Sequence, residues 1–122
     1  MSRQTTSAVK AALDAKPGAT STQLPSAPGV LLYKVMGKMF AVLELRKLEA
    51  VILKCDPVLI GVLKEQYTGV GHRSHLDRRF WICVDLNADV PVKEVVKLAA
   101  QSYDLVRSKL TRKEKTELEA LS

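Results

Sequence analysis

The chain is short of cysteine, with two in 122 residues, and it holds a single tryptophan. The cysteines lie in separate apolar segments, Val51-Ile52-Leu53-Lys54-Cys55 and Trp81-Ile82-Cys83-Val84. That spacing offers no disulfide framework and no cysteine-rich metal site, so both read as buried free thiols. No run of about 18 apolar residues occurs, so a transmembrane helix is not expected. Met1 to Lys16 lacks the charged start, apolar block and cleavage site of a signal peptide, and a cytoplasmic protein is the expectation. Catalytic signatures are missing as well. The serines sit outside any nucleophile elbow, Gly69 and Gly71 are isolated, and no Gly-Lys-Ser/Thr run occurs. No enzymatic activity and no cofactor are expected.

What is present begins with charge. Nineteen Lys and Arg against thirteen Asp and Glu give a net charge of +6, which favours anionic partners, nucleic acid first. The excess gathers at Arg73, Arg78 and Arg79 and again at Arg107, Lys109, Arg112, Lys113 and Lys115. The apolar content of 47% is enough for one core, and residues 1–122 are read as a single domain.

Residues 3 to 16 have a modest helical stripe, Val9, Ala12, Leu13 and Lys16, ended by Pro17-Gly18. Ala19 to Gly29 reads as a loop with room for a short edge strand. Val30–Val35 and Lys38–Leu45, joined by Met36-Gly37, read as a hairpin, and Ala50–Cys55 follows as a third antiparallel strand. Asp56-Pro57 is a helix start, with Asp as cap and Pro at the first position, and that helix runs to about Tyr67. The next strand alternates: Phe80, Ile82, Val84 and Leu86 on the core face, with Arg79, Trp81, Cys83 and Asp85 on the other. Pro91 opens the longest helix, to about Leu110, whose stripe leaves Leu98 and Leu105 outside. Those two leucines predict a second contact, with the terminal helix that Thr111 starts or with another subunit. Strands clustered ahead of helices predict an α+β domain of two layers, an antiparallel sheet with helices on one face.

Four segments stand in an order and spacing that resemble the MmcQ/YjbR family: Gly37-Lys38-Met39-Phe40-Ala41, Leu53-Lys54-Cys55-Asp56-Pro57, His75-Leu76-Asp77-Arg78-Arg79-Phe80-Trp81 and Ser102-Tyr103-Asp104-Leu105-Val106. The resemblance covers roughly residues 13 to 118. It implies a secretion-chaperone-like order, α-β-β-β-α-β-β-α, and DNA binding through a "double-wing" arrangement of strands and loops. Members usually carry Pro-Gly-Tyr-His followed by Asn-Lys-Arg-His-Trp. Here the chain reads His72-Arg73-Ser74-His75 and then Asp77-Arg78-Arg79-Phe80-Trp81. An arginine is gained, the tyrosine and one histidine are lost, and an acid replaces the amide. The basic and aromatic character survives these changes.

The stretch from Gly71 to Trp81 therefore carries the functional expectation. Arg73, Arg78 and Arg79 would grip phosphates, Trp81 would stack, and His75, Lys38 and Lys54 would extend the nucleic-acid-binding surface. The competing reading is a solvated arginine loop with Trp81 packed beneath a neighbouring loop. His72 and His75 have an H-x-x-H spacing, but no cysteine is near and three arginines would repel a cation, so no metal is expected. Lys34, Lys38 and Lys54 lie on successive strands and either line one positive face or guard sheet edges. The expected partner is DNA, held weakly and without sequence specificity, since no base-reading helix is visible. The alternative is a protein-interaction or chaperone-like module, or a homodimer, using Leu98, Leu105 and a sheet edge near Ala19 to Val30.

Overall fold

The computed structural model describes residues 2–46, 49–72 and 76–121, with side chains from residue 5 onward. The elements are α1 (Ser2–Asp14), β1 (Ala19–Leu24), β2 (Ala27–Val35), β3 (Lys38–Glu44), β4 (Ala50–Lys54), α2 (Pro57–Gln66), β5 (Val70–Gly71), β6 (Trp81–Asp85), α3 (Val92–Ser108) and α4 (Arg112–Leu121). The strands form one antiparallel sheet in the order β1-β2-β3-β4-β6-β5. The α+β class and the antiparallel sheet agree with the sequence reading.

The pleat sorts the sheet into two faces. Tyr33 stands opposite Ala41, Ala41 opposite Leu53, and Leu53 opposite Ile82; one step along, Leu43, Val51 and Val84 make a second row. Partners across an antiparallel ladder point to the same side, and all of these residues are buried. They join Val9 and Leu13 of α1, Ile60 and Leu63 of α2, and Val95, Ala99, Tyr103 and Val106 of α3 in one core. Leu32, Val42, Ile52 and Cys83 form the corresponding row on the far face.

Local chemistry explains the element boundaries. Asp56 caps α2 by accepting the Val58 amide at 2.9 Å, with Pro57 at the first position. Thr111 and Glu114 exchange a capping box at the start of α4, 3.1 Å and 2.8 Å. Met36 and Gly37 both have positive φ, 49° and 80°, which gives the two-residue hairpin the twist that its strands need. Met36 accepts that costly backbone because its side chain packs on the core. Gly18, at φ 72°, lies against α4: a Cβ there would come within 2.2 Å of the Leu118 side chain.

Two expectations are corrected. The stretch read as a loop with room for a short edge strand, Ala19 to Gly29, is largely a hairpin: the edge strand is there, and it pairs along β2 from Ala19↔Val35 to Gln23↔Leu31. Its Thr, Ser and Gln side chains are exposed, so β1 forms from edge pairing and shows no apolar alternation. Phe80 is not a core residue; it lies in a turn and is 39% exposed. Asp77 is the cause: its carbonyl accepts both the Phe80 and Trp81 amides at 3.0 Å, and its carboxylate takes the Arg79 amide at 2.9 Å. That turn occupies 78–80 and delays the strand to Trp81.

Candidate nucleic-acid interface

Trp81 opens β6 on the far face of the sheet, half-buried, with Lys54 directly across from it on β4. Lys54 is held from the core side by its own amide, which donates to the Ser102 hydroxyl at 2.8 Å. Ser102 passes the bond on to the Phe40 carbonyl at 2.6 Å. One buried hydroxyl on α3 thus fixes two strands and the register that sets Lys54 against Trp81.

The connection from β5 to β6 supplies the remaining charge. Lys64, in the last turn of α2, bonds to Nε2 of His72. The His72 ring is pushed below its ordinary pKa, first by burial and then by the positive charges of Lys64 and Arg78; a hydrogen bond to the Trp81 backbone opposes the shift. Lys64 and Arg78 thus both act on the His72 ring, adding to the effect of its burial. Among the described residues, neither Lys54, Lys64 nor Arg78 has an ion-pair partner.

Arg79 behaves differently. Its guanidinium closes a bidentate pair on Asp77, with Nη2 at 2.8 Å and Nε at 3.1 Å, and lies over the Phe80 ring at 5.4 Å. The same contact raises the Arg79 pKa and holds the Asp77 carboxyl down at about 2. Its charge is locally cancelled, and it stands in the turn, not on a strand face beside Trp81. Lys38 is placed apart as well. It pairs with Val35 of the core face and lies near Glu114 of α4, whose carboxyl is held below its usual range first by the Thr111 amide and only lastly by the Lys38 charge. Lys34 and Lys54 share the far face by the ladder, so the line of three lysines is reduced to two. Arg73 and His75 lie outside the described residues. Lys64 was absent from the sequence expectation; nothing in its spacing from His72 marks the pair.

The cysteines are free and buried. Burial pushes the Cys55 thiol up to about 11, which leaves it protonated and a poor nucleophile at neutral pH. Among the described residues no group of three metal-ligating side chains comes together. No described helix is long and apolar enough to cross a membrane.

The family model YjbR matches residues 14–105. The chain belongs to the YjbR family. Its fold is shared with solved proteins of that kind. A Deinococcus radiodurans protein with domain DUF419 is 27% identical, at a TM-score of 0.80, over 90% of this chain and 84% of that one. A Pseudomonas syringae protein, solved as a crystal, is 23% identical at a TM-score of 0.70, over 86% of this chain and 98% of its own. A solution NMR structure from the same organism gives 22% and 0.66, over 86% and 92%. The two Pseudomonas structures establish the shared fold alone. No curated protein matches the chain.

Proposed function

We propose that this YjbR-family protein binds DNA weakly and without sequence specificity, as a cytoplasmic, non-enzymatic protein, through the surface around the β5–β6 connection. The observation that carries the reading is the half-buried Trp81 set across from Lys54, with the positive charges of Lys64 and Arg78 close enough to add to the burial that lowers His72. Cations without acidic partners next to an aromatic plane suit a phosphate backbone and a stacked base. Arg78, Lys64 and Lys54 are the phosphate contacts and Trp81 the stacking plane. Arg73 and His75 extend the same loop in sequence. Arg79 contributes little while Asp77 holds it.

The test uses Trp81 as the single tryptophan. Its fluorescence is followed during titration with a short duplex and with a single strand, at low and at physiological salt. Saturable quenching that weakens as salt rises supports the reading. An unchanged signal, together with no binding by fluorescence anisotropy of labelled DNA, overturns it.

A second reading, an interaction module that adds a partner strand to the sheet, is favoured by β1. It stands at the end of the sheet order and presents six residues without charge or proline, a combination that edge strands usually avoid.

A further inference from the structure

Among the described residues, the helices bury their apolar sides on one face of the sheet, Leu118 of α4 included, and Leu32, Val42, Ile52, Cys83 and Trp81 stand outside that core. An antiparallel sheet with one face toward water usually turns polar residues to it. Here the middle row of the far face, Leu32, Val42, Ile52 and Cys83, is apolar across four strands. Those strands spread the row over about 14 Å. Val42 and Cys83 are buried between their neighbours. Leu32 and Ile52, like Trp81, are only partly buried and offer contact area.

The rows on either side of this strip carry opposite charge. Toward one end of the strands, Lys34 stands opposite Met39 and Lys54 opposite Trp81. Neither lysine has an ion-pair partner among the described residues. Lys54 also borders the cleft between α2 and α3, so Lys34, which is exposed, is the cation that belongs to this face alone. Toward the other end, Glu44 stands opposite Val30 and Asp85 opposite Ala50. Arg46 holds Glu44 at 2.6 Å, and Asp85 accepts the Asn87 amide at 2.8 Å. A polyanion crossing the strands is therefore drawn to the lysine row, with the apolar strip directly beside it.

Duplex DNA shows a protein its phosphates and keeps its base faces stacked, and exposing one means breaking a stack. A single strand has base faces free to lie on apolar and aromatic side chains, and every base has such a face, so no sequence is read. We infer that the far face of the sheet is a track for single-stranded DNA, its backbone along Lys34 and Lys54 and its bases on Leu32 and Ile52. Trp81 stacks a base where the track meets the β5–β6 connection. The inference rests on the DNA-binding reading above and narrows its substrate from DNA to the single strand.

The experiment is fluorescence anisotropy of the whole chain with a labelled oligothymidylate and with a labelled duplex of equal length, at several salt concentrations. The single strand is expected to bind about tenfold tighter than the duplex, the effect of one stacked base. Leu32→Thr combined with Ile52→Thr keeps residues that suit a strand and is expected to weaken single-strand binding about threefold or more, with duplex binding unchanged. Lys34→Gln, at an exposed position, is expected to lower the single-strand salt slope by about 0.7. A chain that binds neither probe overturns the DNA reading and this inference together. Equal or tighter binding of the duplex overturns this inference alone, as does single-strand binding that neither variant weakens. A dimer in sedimentation equilibrium that the Leu32 and Ile52 substitutions dissociate gives the face to a second copy, and overturns it too.

Discussion

The two flanks of α3 make different use of the same helix. Toward α1 the flank is sealed. Tyr103 donates its hydroxyl to the Pro17 carbonyl at 2.5 Å, Phe40 meets the Tyr103 ring edge-on at 5.3 Å, and Tyr33 donates to Asp14 at 2.8 Å. Every buried side-chain polar atom among the described residues has a partner. Burial and the Asp14 carboxylate hold the Tyr33 phenol protonated far above its usual range, which keeps it a permanent donor. Toward α2 the flank stays open, with Leu105 half-buried and Gln101 and Asp104 on the rim. Close packing and satisfied hydrogen bonds make the first flank a scaffold. The second flank is packed less completely, with polar side chains left at the solvent.

The widest contrast should come from truncating one side chain on each flank. Phe40 is fully buried, and Phe40→Ala is expected to cost about 3–5 kcal/mol in urea unfolding. Leu105→Ala, on the open flank, is expected to cost no more than about 1 kcal/mol. Comparable losses at the two positions would break the distinction between scaffold and surface.

A smaller loss is expected for Ser102→Ala. The substitution leaves the Lys54 amide and the Phe40 carbonyl without the hydroxyl they share, at about 1–3 kcal/mol. Trp81 quenching by DNA should weaken alongside stability, because the same hydroxyl supports the β4 strand that faces Trp81. Undiminished stability would show that water or a backbone shift replaces the bond.

The arginine pair sharpens the contrast between free and cancelled charge. Arg78→Gln is expected to lower the slope of log affinity against log salt by about 0.9, the value of one phosphate contact on duplex DNA. Arg79→Gln should change it far less, since Asp77 already holds that guanidinium. Asp77→Asn should do the reverse and raise affinity at low salt by releasing Arg79. Anisotropy titrations at several salt concentrations measure all three, and equal slopes for the two arginine variants would count against the role given to Arg78.

The finest effect is on His72. Its folded pKa lies below the ordinary 6.5, so the unfolded chain takes up the proton first. Its contribution to stability is therefore full above pH 6.5 and declines as pH falls through 6.5 toward the folded value. Bound phosphate would offset the field of Lys64 and Arg78, so DNA should move the His72 pKa upward when followed by NMR of the ring protons. A downward or absent shift on saturation would place the DNA away from this loop.

The sequence carried the signals that act between near neighbours. Asp56-Pro57 and the Thr111 start were readable because caps are made within three residues, and the Met36-Gly37 turn because only a few residues tolerate its backbone. The alternation of Ile82 and Val84 against Trp81 and Cys83 was readable because a strand repeats every two residues. The same rule failed at Phe80, where the Asp77 turn interrupts the repeat. It gave no signal at β1, where turn-rich composition left room for a short edge strand but polar side chains hid one that exists because β2 offers it a ladder. At the candidate surface, the sequence placed Arg78, Trp81 and Lys54 among the residues to watch, but Lys64 went unseen and Lys38 was grouped with them.

By itself the sequence determined the class of the fold, the caps and turns, the excess of positive charge and membership of the YjbR family. Each of these depends on composition or on spacing along the chain. Tertiary structure alone decided that Lys54 lies across from Trp81, that Lys64 reaches His72, that Asp77 cancels Arg79 and that α2 leaves one flank of α3 open. The first three are electrostatic contacts set by distance in space, which a charge count does not contain. The last depends on how two helices pack on a twisted sheet, where α2 satisfies its apolar side against β5 and the core before it reaches α3.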